Sequence, residues 1–293
     1  MAKRTKIKGW RKIAAATWGH PNDPQIYGDL EFDATPILEF IEDARAATGA
    51  RLTVTHLVGK AIGHALGEHP DLNVHIHRGD FVRRDTVDIF FIVSAEAGSE
   101  LSGVKVERAD EKSAVEIAQE LSARAGRVRT GDDVEFGKTK AMFARTPRRL
   151  LQLGFKVAAW LTTDRDLDLK KYGLPRQPFG SAMVTSVGMF GIQHAYAPLS
   201  PYYRVPLIVL VGEIADKPTV VDGRVEARPI LTLSATLDHR YLDGYHASRL
   251  ARSLRDYLED PKRFEPALKQ ARTSSGSPTP VTATGSGRRK TKS

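Results

Sequence analysis

The 293-residue sequence contains no cysteine. Disulfide bonds, thiolate metal ligands and a cysteine nucleophile are therefore excluded, and the absence is typical of proteins from a reducing compartment. The sequence also has no apolar run long enough to span a membrane, and no hydrophobic signal core follows the basic N-terminus MAKRTKIKGW. We therefore expect a cytoplasmic protein, and no residue pattern predicts a metal site.

The positive charge is concentrated at the two ends of the chain. The formal net charge is +9, but residues 1–12 carry six Lys and Arg and residues 272–293 carry five, which leaves about −2 for residues 13–271. The composition of residues 272–293, rich in Ser, Thr and Gly, predicts a disordered basic tail. Because no recognition motif or basic–aromatic stripe accompanies the charge, we expect no specific nucleic-acid partner.

The chemically most informative stretch is residues 230–258. Apolar residues alternate with Thr and Ser as far as Leu237, which predicts a half-buried strand. From His246 onward apolar residues recur at spacings of three and four, which predicts an amphipathic helix. The turn between them, DHRYLDG, places His239 and Asp243 four residues apart at a strand end. Such a position holds side chains rigidly and leaves them accessible, as a catalytic base requires.

Elsewhere the pattern predicts one α/β domain over residues 1–271. Helices are predicted at residues 35–48, 55–68, 112–125 and 148–161, and strands at residues 27–32, 74–77, 81–84, 87–95, 183–187 and 205–214. An Asp-Gly turn at residues 222–223 predicts a hairpin that leads into the strand before the DHRYLDG turn.

Three motifs carry a resemblance to a known family. DHRYLDG resembles the D-H-R-x-x-D-G signature of the acyltransferase catalytic domain of 2-oxo acid dehydrogenase complexes, and more broadly the H-x-x-x-D-G motif of chloramphenicol acetyltransferase-like enzymes. Residues 65–73, ALGEHPDLN, match the family's A-L-x-x-H-P-x-L-N run. Residues 179–191, FGSAMVTSVGMFG, resemble its F-T-I-S-N-L-G-M-F-G segment, and the resemblance covers roughly residues 8–270.

The resemblance implies both a fold and an assembly. The expected fold is the chloramphenicol acetyltransferase-like two-layer sandwich, an α/β mixed sheet flanked by helices. The expected assembly is a homotrimer or a larger particle, with the active site in a channel at the subunit interface. Histidine and hydroxyl would come from facing chains, and coenzyme A would enter the channel as a substrate opposite the acyl partner.

The resemblance also assigns roles to individual residues. His239 is the expected general base, since a neutral imidazole can take a proton from a thiol or hydroxyl near neutral pH. Thr185 falls on the catalytic hydroxyl and would donate a hydrogen bond to a tetrahedral oxyanion. Asp243 is expected to fix the turn and a nearby cation rather than to relay protons. Arg11, which follows Trp10, falls on the position of that cation.

Two segments depart from the family pattern. Residues 99–106 replace the usual G-L-x-x-P-V strand, and an insertion occupies about residues 127–177. Within the insertion, residues 148–161 predict a helix that is apolar around most of its surface. We expect this helix to be buried by packing or to contact another subunit. An interfacial membrane helix is the alternative, disfavoured because a wide charged face is lacking.

The acyl acceptor stays open. Residues 110–114 faintly resemble a lipoyl-attachment sequence, but they run straight into a helix, so no covalent lipoyl group is expected on this chain. We expect no lipoyl domain or peripheral-subunit-binding domain before the catalytic part, because no such segment is recognisable in the sequence. We therefore expect transfer between coenzyme A and a dihydrolipoyl group on another chain of a dehydrogenase complex, or a small acceptor. The alternatives are a non-catalytic trimeric scaffold and a small-molecule O- or N-acetyltransferase.

Overall fold

The computed structural model describes residues 23–77, 79–95, 100–129, 147–172 and 174–265. Its helices are α1 Thr35–Thr48, α2 Val54–Glu68, α3 Ala114–Arg129, α4 Arg148–Ala159, α5 Gly244–Glu259 and α6 Pro261–Phe264. Its strands are β1 Gln25–Asp33, β2 Val74–His77, β3 Asp80–Arg83, β4 Ile89–Ala95, β5 Glu100–Val106, β6 Ala182–Ser186, β7 Leu207–Val211, β8 Ala215–Val221 and β9 Arg224–Asp238. None of these described helices has the length and apolar composition needed to cross a bilayer.

The main sheet has seven strands in the order β1-β9-β7-β6-β4-β5, and β8 also pairs with β9. Strand β6 runs parallel to both β4 and β7, whereas the other pairs are antiparallel. Most of the segment that lacks the family's usual motif nevertheless forms strand β5, Glu100–Val106, which pairs with β4. The predicted mixed sheet flanked by helices is confirmed.

The strand residues alternate between two sides of the sheet, as a period of two requires. Val184, Val209 and Leu233 point to the side where α1, α2 and α5 pack and belong to the main hydrophobic core. Met183 and Ile208 point to the other side and belong to a smaller cluster, which also includes residues of the loop between β6 and β7. The sheet therefore has a helix side and a loop side.

The insertion departs from the prediction of a buried helix. Residues 130–146 and the tail 272–293 lie outside the described residues. Helix α4 does form, but four of its large apolar side chains and the following Trp160 are exposed within the chain. Burial by packing inside one chain is therefore wrong for most of this helix, while contact with another subunit stays a prediction. The chain leaves α4 through a π-helical turn, Trp160–Asp164, whose Thr162 and Thr163 are buried.

Glu265 closes the described chain by binding the start of α3. Its buried carboxylate accepts hydrogen bonds from the Ala114 backbone N–H at 3.0 Å and from the Tyr257 hydroxyl at 2.5 Å. Burial raises the pKa of Glu265 above its ordinary value. Because the folded-state pKa is the higher one, protonation of Glu265 favours folding. This stability is fully present below the unfolded-state pKa and is lost as pH rises through the folded-state pKa.

Acidification should raise the unfolding free energy of the wild type in part through protonation of Glu265. We therefore expect Glu265→Gln to lose this contribution. The uncharged amide imitates the protonated acid, so the variant should gain less stability than the wild type on acidification. Glu265→Ala, which leaves the Ala114 N–H and the Tyr257 hydroxyl without their acceptor, should lose about 1–3 kcal/mol. Urea unfolding at a series of pH values measures both effects. An unchanged pH dependence in Glu265→Gln would refute this account of the carboxyl group.

Candidate active site

The DHRYLDG turn is closed by hydrogen bonds to the last residue of β9. The Asp238 carbonyl accepts from the backbone N–H groups of Tyr241 and Leu242, at 2.9 and 3.1 Å. The Asp238 carboxylate is buried and binds Arg240 in the same turn, and the Leu242 side chain is buried beneath it. With both ends fixed in this way, His239 is left on the exposed side of the turn.

The orientation of the His239 ring is set by a backbone carbonyl. Its Nδ1 lies 3.0 Å from the carbonyl oxygen of Leu242. A carbonyl oxygen can only accept a hydrogen bond, so Nδ1 must carry the proton. In the neutral ring Nε2 is then unprotonated, and its lone pair is free to take a proton. The main chain is held as well, because the His239 N–H donates to the Pro24 carbonyl at 2.7 Å.

Asp243 is the N-cap of helix α5. Its carboxylate accepts a hydrogen bond from the His246 backbone N–H at 3.0 Å, and the His246 Nδ1 lies 2.7 Å from the same oxygen. The hydrogen bond from the His246 N–H lowers the pKa of Asp243, so the carboxylate persists to lower pH. The Asp243 side chain thus fixes the junction between the turn and the helix.

Thr185 lies at the end of strand β6, on the loop side of the sheet. The start of this strand is anchored by Gly180, whose positive φ of 67° and close approach to the Asp88 carbonyl exclude a side chain. The next residue, Ser181, donates its N–H to that carbonyl at 2.7 Å. Thr185 itself is half-buried. Its hydroxyl is therefore carried on a fixed central strand.

Ser186, which falls on the position of the family's asparagine, points to the helix side. There it lines an open cavity of about 350 Å³ beside the N-terminus of α2, together with Gly188 and Glu213. The cavity lining includes neither Thr185 nor His239. It is therefore not the place where these two side chains could act together.

Within one chain Thr185 and His239 are far apart. Thr185 pairs with Leu210 of β7, and Leu210 pairs with Ser234 of β9. His239 lies five residues beyond Ser234, so two strand spacings and five residue rises separate the two positions by on the order of 20 Å. A base and an oxyanion donor must both reach one reacting centre, each within hydrogen-bonding distance. One chain alone does not bring them together.

The sequence motif predicts the position of the histidine turn but not all of the contacts that shape the site. The His239–Asp243 turn was predicted, but the carbonyl of Leu242 that selects the ring tautomer has no side-chain signature in the sequence. The motif does not identify His246, three residues after Asp243, as part of the site. A polar residue at that spacing after an N-cap is the signal that could have identified it. Arg11, the predicted partner of Asp243, lies outside the described residues.

The chain thus forms an α/β domain in which the turn after strand β9 presents His239. The hydrogen bond to the Leu242 carbonyl sets the neutral tautomer of this histidine. The sequence model of the 2-oxoacid dehydrogenases acyltransferase (catalytic domain) family matches residues 2–133 and 175–265. The chain therefore belongs to this family. The residues between the two matched parts, 134–174, fall inside the predicted insertion.

Characterised relatives are longer than this chain. The dihydrolipoyllysine-residue acetyltransferase component of the acetoin cleaving system of Bacillus subtilis is 24% identical over 266 residues, which are 89% of this chain and 56% of that protein. The corresponding component of the pyruvate dehydrogenase complex of the same organism is 26% identical over 266 residues, or 88% of this chain and 50% of that protein. The chain thus spans about half the length of the curated relatives it matches.

Solved structures share the fold. The crystal structure of a probable dihydrolipoamide acetyltransferase from Listeria monocytogenes has a TM-score of 0.61 at 23% identity, over 91% of this chain and 98% of that one. Dihydrolipoamide acetyltransferase from Azotobacter vinelandii has a TM-score of 0.59 at 23% identity, over 83% and 84% of the two chains. The work on that enzyme concerns a serine, a histidine and, four residues after the histidine, an asparagine in its catalytic mechanism.

Proposed function

We propose that this chain transfers an acyl group between coenzyme A and a thiol, at a site shared by two copies of the chain. The thiol would belong to a dihydrolipoyl group on another chain or to a small acceptor. The observation that carries the proposal is the Nδ1 contact of His239 with the Leu242 carbonyl, which leaves Nε2 as a base. Family membership and the four-residue spacing between His239 and Asp243 support the same chemistry.

The reaction balances with two side chains. Nε2 of His239 takes the proton of the incoming thiol, and the sulfur forms a bond to the thioester carbonyl carbon. The resulting tetrahedral oxyanion accepts a hydrogen bond from the Thr185 hydroxyl of the neighbouring copy. The bond to the departing sulfur then breaks, and the imidazolium returns its proton to the thiolate that leaves. No covalent acyl-enzyme is required, in keeping with the absence of cysteine.

The distance between Thr185 and His239 in one chain supports an assembly of several copies. A cyclic, head-to-tail contact would place His239 of one copy against Thr185 of the next, and it closes after a fixed number of subunits. We propose a homotrimer, as the family resemblance implies. One solved structure that shares the fold is that of the cubic core of a pyruvate dehydrogenase multienzyme complex. Whether this chain works within such a complex depends on its acceptor.

The experiment that tests the function follows release of the coenzyme A thiol. Purified protein is mixed with acetyl-coenzyme A or a longer acyl-coenzyme A, and with free dihydrolipoamide, a dihydrolipoylated domain or small alcohols and amines. Release that depends on a dihydrolipoyl acceptor supports the first form of the proposal. Release only with a small acceptor would favour a small-molecule acyltransferase. A folded protein that releases no thiol with any pair would favour the non-catalytic scaffold.

Substitutions of Asp243 distinguish two ways in which this side chain could hold the turn, by its helix-capping hydrogen bond or by its negative charge. Asp243→Asn keeps an oxygen that accepts from the His246 N–H, and asparagine caps helices about as well as aspartate, so the acyl-transfer rate should stay within about tenfold. Asp243→Ala removes the cap, lets the turn move and should lower the rate by about 10²-fold. Steady-state rates of both variants measure the difference. If asparagine were as damaging as alanine, the negative charge would be the essential feature.

A further inference from the structure

Helix α4 carries an apolar stripe that no described part of the chain covers. Leu150, Leu153, Val157 and Trp160 are exposed by 59%, 57%, 46% and 45%. At 100° per residue, these four positions fall within an arc of about 80° on one side of the helix. We refer to these four side chains as the α4 stripe. Large exposed apolar patches of this kind mark surfaces that bind something.

The opposite side of the helix is attached to the protein. Phe155 packs against Tyr202, with ring centroids 5.8 Å apart, and Ala159 is buried. The π-helical turn that follows is held by the buried Thr162, whose hydroxyl donates to the Ala158 carbonyl at 2.9 Å. The stripe is thus directed outward by a fixed attachment.

The charges around the stripe have one sign. Between residues 147 and 163 the sequence contains Arg148, Arg149 and Lys156 but no Asp or Glu. Arg149 and Lys156 are exposed and border the stripe on the helix surface. Arg165 stacks over the Trp160 ring, 4.7 Å from its centroid. An apolar stripe with Trp and a basic border is the composition of helices that lie in the interface of an anionic membrane.

The absence of a wide charged face, which argues against a membrane helix in the sequence, has a structural explanation. A free amphipathic helix needs a charged face because its back is in water. The back of α4 instead contacts the protein through the buried Ala159 and through the Phe155 ring, which is 41% exposed and packs on Tyr202, so much of the polar contact with lipid headgroups falls to the border of the stripe. The basic residues at the two ends of the chain add positive charge of the same kind.

Two other occupants fit these observations less well. A nucleic acid would use the basic residues but gain little from four exposed apolar side chains. A second copy joined by a two-fold contact between two α4 stripes would bring Arg149 and Lys156 of both copies together, which is repulsive. An anionic lipid surface satisfies the apolar and the basic groups at once.

We propose that the α4 stripe docks the protein on an anionic membrane surface, with the side chains of Leu150, Leu153, Val157 and Trp160 inserted among the lipids. This proposal does not depend on the acyl-transfer chemistry, because none of these residues belongs to the candidate active site. The proposal assigns a function, membrane docking, to the insertion that contains α4.

Vesicle co-sedimentation of the full chain tests the proposal. The protein should sediment with vesicles of phosphatidylcholine and phosphatidylglycerol, and much less with phosphatidylcholine alone. Leu150→Ser/Leu153→Ser should lower the partition coefficient at least about tenfold, because two inserted side chains are lost. The matched control is Val220→Ser/Val225→Ser, which removes two exposed valines near the tip of the β8–β9 hairpin and should change nothing.

A second readout reports insertion directly. In a Trp10→Phe/Trp18→Phe variant, Trp160 is the remaining tryptophan, and its emission should shift to the blue on addition of anionic vesicles. Three outcomes would overturn the proposal. These are no binding to anionic vesicles, binding that survives the double serine change, and a double serine variant whose oligomeric state changes in solution. Thiol release without vesicles should be equal in the double serine variant and the wild type.

Discussion

Replacing His239 with alanine is expected to lower the rate of acyl transfer by about 10²–10⁴-fold. In the proposed mechanism the imidazole Nε2 deprotonates the incoming thiol, and the two aspartates of the DHRYLDG turn are engaged elsewhere. Asp238 is bound to Arg240, and Asp243 accepts hydrogen bonds from His246. The measurement is the initial rate of coenzyme A release at saturating acyl-coenzyme A.

The control for this substitution lies on the same helix–turn unit. Arg255 is exposed on α5 and pairs with Glu259 one helical turn away, so Arg255→Ala should keep the wild-type rate. A full rate in folded His239→Ala would remove the histidine from the mechanism.

Replacing Thr185 with alanine is expected to lower the same rate by about 10²–10³-fold, the range found when one oxyanion donor is lost. Thr185→Val tests the hydroxyl alone, because valine keeps the shape of the side chain on β6. Thr185→Ser keeps the hydroxyl and should retain most of the activity. The loss should appear in kcat rather than in KM, since the donor acts on charge that develops in the transition state.

Thr219 provides the matched position for the Thr185 series. Its hydroxyl lies on the outer strand β8 and makes a local contact with the Lys217 carbonyl at 3.4 Å. Thr219→Val should therefore leave the rate unchanged. If Thr185→Val were as active as the wild type, the oxyanion would have to be stabilised by another donor.

Much of the architecture follows from short-range patterns. The alternation before His239 and the three- and four-residue spacing after His246 predicted the end of β9 and helix α5, because both periods report which side of an element is buried. The Asp-Gly pair at residues 222–223 likewise predicted the β8–β9 hairpin, and the structure has it. These features depend on neighbouring residues, which a sequence displays directly.

The features that sequence could not supply depend on long-range geometry. The tautomer of His239 is set by the carbonyl of Leu242, and every residue has a carbonyl. The separation between Thr185 and His239 depends on strand order and register across β6, β7 and β9. The exposure of α4 depends on what packs beside it, and a helix that is apolar on several sides gives the same pattern whether it is buried or exposed.

Complementation between two inactive chains tests the shared site most directly. His239→Ala and Thr185→Ala chains with different tags are co-expressed, and mixed oligomers are purified on both tags and assayed for coenzyme A release. Every mixed trimer contains one interface that joins an intact His239 to an intact Thr185, so about one third of the wild-type rate should return. Each variant alone stays inactive. Mixed oligomers as inactive as the two parents would contradict a site built from two chains.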